Sequence, residues 1–154
     1  MTEYEILCEI ARGRGLAVKR LPLDEETKGL IKGARVAIRD DLTEAEAADT
    51  LAEEIAHDAL NAGDITDLSV TTNRKQEMKA RMLAYDIRIG LSGIVACCRY
   101  GCRSRYEMAK LLGVSEEFLA EALEHYRRKY GDQPVSVDNY MIVFEPRLGV
   151  IEMI

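Results

Sequence analysis

Between Thr43 and Asn61 the sequence leaves little choice of conformation. Thr43-Glu44-Ala45-Glu46 is a capping box: the threonine hydroxyl covers a free amide while the carboxylate of Glu46 reaches back to the cap. Ala45, Ala48, Leu51, Ala52, Ile55 and Ala56 then recur at helical spacing and form one apolar stripe. Gly63 is the natural stop. A long amphipathic helix is the expectation here.

Similar signals punctuate the rest of the chain. Tyr4 to Ala11 places Ile6, Leu7 and Ile10 at helical spacing, ended by Gly13 and Gly15. Leu16 to Leu21 reads as a short strand stopped by Pro22. Gly29-Leu30-Ile31 and Arg35-Val36-Ala37-Ile38 flank Lys32-Gly33-Ala34 as a hairpin. Asn73-Arg74-Lys75-Gln76 repeats the capping pattern and opens a second long helix, ended by Gly90. Shorter helices are expected around Ser92 to Tyr100 and Arg105 to Leu112. Ser115-Glu116-Glu117 caps a helix that reaches Tyr130 and stops at Gly131. Tyr140 to Phe144 and Val150-Ile151-Glu152 have strand composition around a turn at Pro146 to Gly149. The pattern predicts a mainly helical α+β fold, a single domain over residues 1–154 with a small antiparallel sheet.

Charge narrows the function classes. The net charge of −6 comes from 21 basic and 27 acidic residues. That balance points away from nucleic acid, whose binders neutralise phosphates. It does not exclude such binding, because Lys75, Lys79, Arg81 and the run Arg127-Arg128-Lys129 are locally basic. Apolar runs fall far short of the ~20 residues that span a bilayer. Met1-Thr2-Glu3-Tyr4-Glu5 is acidic where a secretory signal is basic, so a cytoplasmic setting without membrane contact is expected. Of Cys8, Cys97, Cys98 and Cys102, adjacent Cys97 and Cys98 make a poor disulfide. On a helix Cys98 and Cys102 would share a face, but zinc-ribbon spacing is absent, and buried structural thiols are the expectation.

The candidate chemistry lies on the Thr43 helix. In HExxH metallopeptidases two histidines at i and i+4 share a helix face and hold zinc, and the glutamate between them activates bound water. Leu51-Ala52-Glu53-Glu54-Ile55-Ala56-His57 has this frame, with Glu53 where the first histidine would stand. Taken alone, E-E-x-x-H also describes a solvated acidic helix face. Glu77, on the following helix, is where a third zinc ligand would come from.

With these residues the chain resembles the ImmA/IrrE family of metallopeptidases. Lys28-Gly29, Leu51-Ala52-Glu53-Glu54 with His57, and Gly63-Asp64-Ile65 carry the resemblance, followed by Asn73-Arg74-Lys75-Gln76-Glu77 with Ala80 and Ala84. It continues through Tyr106-Glu107-Met108-Ala109, Lys129-Tyr130-Gly131 and Phe144-Glu145-Pro146. The resemblance implies a zincin-like active-site helix and a zinc-dependent endopeptidase that cleaves a phage-type helix-turn-helix repressor. It also implies that Glu54 is the general base and that His57 and Glu77 are zinc ligands, with Glu53 as the variant ligand. A carboxylate binds zinc at roughly 2.0–2.2 Å, but replacing a neutral histidine leaves the ion less positive and its water less acidic. The alternative is a catalytically inactive member that carries no zinc and binds the repressor without cutting it.

Other features have plainer readings. Tyr106 to Leu119 has the look of a helix-turn-helix, but Glu116, Glu117 and Glu121 would face phosphate, so direct nucleic-acid binding is disfavoured. These acids serve the helix dipole equally well. His125 has no ligand spacing around it. Asp58 beside His57 is either an orienting acceptor or an exposed helix residue. Tyr85, roughly two turns after Glu77, could face the same cleft.

Overall fold

The caps read at Thr43 and Ser115 and the stop at Gly131 bound two of the helices as expected. The computed structural model describes residues 1–61 and 70–154, with side chains throughout except at 70–73. The expected stop at Gly63, the stretch Gly63-Asp64-Ile65 and the side chain of Asn73 lie outside the described residues. Two compact units emerge, Met1–Ile87 and Arg88–Ile154. The fold is α+β and mainly helical.

The N-terminal unit opens with α1 (Glu3–Gly13), held by a capping box in which Glu5 N–H donates to Thr2 Oγ1 at 3.1 Å. Gly15, at φ 82°, turns the chain into β1 (Ala17–Leu21). The expected hairpin is present as β2 (Gly29–Lys32) and β3 (Arg35–Arg39), antiparallel from Gly29 opposite Ile38 to Lys32 opposite Arg35. Gly33 at φ 62° makes its turn. The strand order is β1-β3-β2, and β1 runs parallel to β3. This sheet is therefore mixed, because the stretch from Pro22 to Ala34, β2 included, acts as the crossover that a parallel pair needs. Arg20 Nη2 donates to Leu42 O at 3.2 Å, tying β1 to the loop that enters the next helix.

That helix, α2 (Glu44–Asn61), carries the predicted capping box: Glu46 N–H to Thr43 Oγ1 at 3.1 Å and Thr43 N–H to Glu46 Oε1 at 3.2 Å. Its burial exceeds the single stripe. Ala47, Asp49, Thr50 and Glu54 are buried together with Ala48, Leu51, Ala52, Ile55 and Ala56, while Ala45 is half-buried. The reason is that α2 packs against α1 and also against β2 and β3. Leu7, Val36, Ile38 and Leu51 fill the space between, each fully buried aliphatic side chain stabilising by about 1.5–3 kcal/mol before conformational entropy is counted. The next helix, α3 (Val70–Arg88), starts earlier than the Asn73 cap predicted. It buries Ala80, Ala84 and Tyr85 on one face.

The C-terminal unit follows a break at Gly90, φ 64°. Here α4 (Gly90–Arg99) ends with Gly101 N–H on Cys98 O and Cys102 N–H on Cys97 O, both at 3.0 Å. This is a Schellman close, so Cys102 lies beyond the helix and does not share a helix face with Cys98. Cys97 is buried as expected, and burial pushes its thiol up to about 12. Cys98 is exposed, against the expectation of a buried thiol, because it lies on the outer face of α4. Ser104 caps α5 (Arg105–Leu112), and Gly113 ends it in the left-handed region at φ 69°. Ser115 caps α6 (Glu116–Tyr130), donor Phe118 N–H at 3.1 Å. The strands β4 (Val135–Val137), β5 (Tyr140–Val143) and β6 (Gly149–Glu152) form an antiparallel sheet. Phe144 stacks on Tyr130 at 5.6 Å and lies 6.0 Å from Tyr126. Among the described residues no helix is long and apolar enough to cross a membrane.

Candidate active site

Four residues return a helical side chain to the same face, so α2 presents Glu53 and His57 together, one turn apart. Glu54 lies about 100° further round and turns inward, only 8% exposed. Its burial has a visible cause. A Cβ on Gly29 would stand 2.6 Å from Thr50 Cγ2 and 3.4 Å from Glu54 Oε1. Only a glycine lets β2 lie this close to α2, and that approach roofs Glu54.

Burial acts on Glu54 through charge. Removal from water, then the neighbouring charge of Glu53, then that of Glu77, raise its carboxyl from an ordinary 4.5 to about 7. All three causes oppose ionisation. An acid in this state exchanges its proton near neutrality, which is what a general base or acid requires.

His57 and Glu77 come together from α2 and α3. His57 Nε2 lies 3.3 Å from Glu77 Oε2, with the histidine side chain 21% exposed and the glutamate 61%. His57 and Glu77 are thus in contact across the two helices. Glu53 is half-buried on α2 and acts on Glu54 through its charge. Among the described residues no group of three or more histidine, cysteine, aspartate or glutamate side chains gathers closely enough to hold a metal ion. The arrangement therefore does not fit a ready three-ligand zinc site.

The surrounding residues resolve several open readings. Asp58 is taken by Arg14, Nε to Oδ2 at 2.9 Å, so the orienting role beside His57 gives way to an ion pair between α1 and α2. Tyr85 is buried on α3. Glu116, Glu117 and Glu121 stay exposed along the start of α6. His125 is half-buried, its ring 5.4 Å from that of Tyr126.

Gly29 and Thr50 are the site residues that residue-by-residue reading missed. Gly29 entered only as a hairpin residue and as part of a resemblance, and Thr50 looks like an ordinary helix residue. A glycine opening a strand was the available signal, since it marks close backbone approach.

A family model described as peptidase M78, the IrrE N-terminal-like domain, matches residues 11–124. A search of curated proteins finds no match.

Proposed function

The chain belongs to the IrrE N-terminal-like peptidase family, and from that footing we propose that it hydrolyses peptide bonds in a regulatory protein. A phage-type helix-turn-helix repressor is the substrate this reading names, and the cytoplasm is its setting. The observation that carries it is the roofed carboxylate of Glu54 beside the His57–Glu77 contact. A buried base flanked by two polar side chains on neighbouring helices has no stabilising purpose, since burying a carboxylate costs free energy.

In this mechanism Glu54 takes a proton from the water that attacks the scissile carbonyl. It then returns that proton to the departing amine nitrogen as the C–N bond breaks, and the water oxygen stays on the new carboxyl end. The strand β2 above Glu54 keeps bulk water from the base, which strengthens every charge interaction there. Zinc, expected from the resemblance, is proposed on His57 and Glu77 with Glu53 as third ligand. Since these three are not gathered, no step above runs through the ion.

One observation favours a second reading. Glu53, standing where the motif has its first histidine, suits a member of the family that binds its repressor without cutting it. Incubation with a phage-type repressor, with and without added zinc, separates the two readings through mass spectrometry of the products. Defined fragments from the parent protein and none from Glu54→Gln support hydrolysis. An intact repressor that still co-elutes with the chain supports binding alone.

A further inference from the structure

In the C-terminal unit the start of α5, the second half of α6 and the β5–β6 turn line an open cavity of about 480 Å³. That is within the usual range for ligand sites. Its wall holds Arg103, Arg105, Arg127 and Arg147 against one carboxylate, Glu124, in a chain whose net charge is −6.

The four cations are not equivalent. Arg127 is committed: its Nε and Nη2 donate to Glu124 at 2.9 and 2.6 Å, and its Nη1 to Glu145 at 2.7 Å. Those bonds hold Glu124 ionised, so the pair is internally neutral. Arg103, Arg105 and Arg147 are exposed, and among the described residues no carboxylate pairs with them. Three unneutralised guanidinium groups on one cavity repel one another and attract anions.

Two further features select among anions. Near the start of α5, Glu107 N–H donates to Ser104 Oγ at 3.1 Å and Arg103 N–H to Glu107 Oε2. A phosphate seated there would have to compete with these two bonds for amides of the helix start. The cavity also has an apolar side, made by Met108, Leu123, Phe144 and Leu148. Guanidinium forks pair with carboxylates through two parallel bonds, and apolar surface next to them suits a side chain flanked by acids.

We propose that this cavity binds an acidic segment of a partner protein, its carboxylates on Arg103, Arg105 and Arg147 and one apolar side chain against Met108 and Leu123. The proposal stands whether or not the chain cuts what it binds.

Fluorescence anisotropy on the full chain tests it with a short labelled peptide of aspartates and glutamates around one leucine. The expected result is saturable binding at low salt, weakened about tenfold by Arg103→Glu with Arg147→Glu. Exchanging the peptide's leucine for serine should weaken it further. Arg105→Glu offers an independent variant, because an acid in the first turn of α5 favours the helix. Three results would overturn the proposal: affinity indifferent to these charge reversals, no saturation at low salt, or displacement by inorganic phosphate as readily as by unlabelled peptide. Equal binding of a single-stranded oligonucleotide through the same arginines would do so as well.

Discussion

Glu54 stands under two opposed demands. As a base it must ionise; as a buried side chain it resists ionising, and burial, Glu53 and Glu77 together raise it to about 7. The consequence for stability has a definite sign. A carboxyl raised from 4.5 binds a proton more tightly in the folded than in the unfolded chain. Its contribution is complete below the ordinary range and is lost as pH rises through about 7. Glu54→Gln keeps the shape and removes the charge. Thermal melts should therefore show the variant near the parent at pH 5 but more stable at pH 8, by of order 1–3 kcal/mol. Hydrolysis should fall by about 10²–10⁴-fold. Equal melting shifts at both pH values would mean that Glu54 ionises freely. The neighbouring Glu53 gives a separate prediction. Glu53→His restores two histidines to one helix face and removes one negative charge from the site. Calorimetric titration should find zinc bound more tightly by this variant than by the parent; identical affinities would remove Glu53 from any role at the metal.

At the scale of elements, the decisive contact is β2 on α2. Gly29→Ala forces a methyl into Thr50 Cγ2, 2.6 Å away, so strand or helix must shift. Overpacking of this kind costs about 1–3 kcal/mol. Thr50→Ser removes the obstructing methyl and keeps a hydroxyl for the bond to Glu46 O, now 2.8 Å. Urea denaturation should show the double variant recovering most of the loss; additive losses would show that the clash is elsewhere. The same contact marks where sequence reading stopped. The starts of α2 and α6 were legible because Thr43 and Ser115 carry their signals locally. The pairing of β1 with β3 was not, because parallel or antiparallel direction is decided by the crossover and not by the strand. The short strand β4 escaped for a related reason: Val135-Ser136-Val137 gains its partners only from β5. The extra buried residues of α2 followed from its being covered on two sides, which a one-stripe pattern does not encode.

For the whole molecule, the site draws on Gly29, Thr50, Glu54, His57 and Glu77, which come from a strand and two helices of the N-terminal unit. Helical period placed Glu53, Glu54 and His57 in advance, and the following helix, as the source of a third ligand, pointed to Glu77. The 3.3 Å approach of His57 to Glu77 fits that reading. The fold class was legible from patterning; the roof over Glu54 was not, because it depends on how closely two backbones approach. The most direct measurement is a carbon-13 NMR titration of the Glu54 carboxyl in the metal-free protein. The account predicts a midpoint near 7 that moves down when Glu77→Gln removes one of the raising charges. A midpoint in the ordinary carboxylate range, unmoved by that substitution, would contradict it.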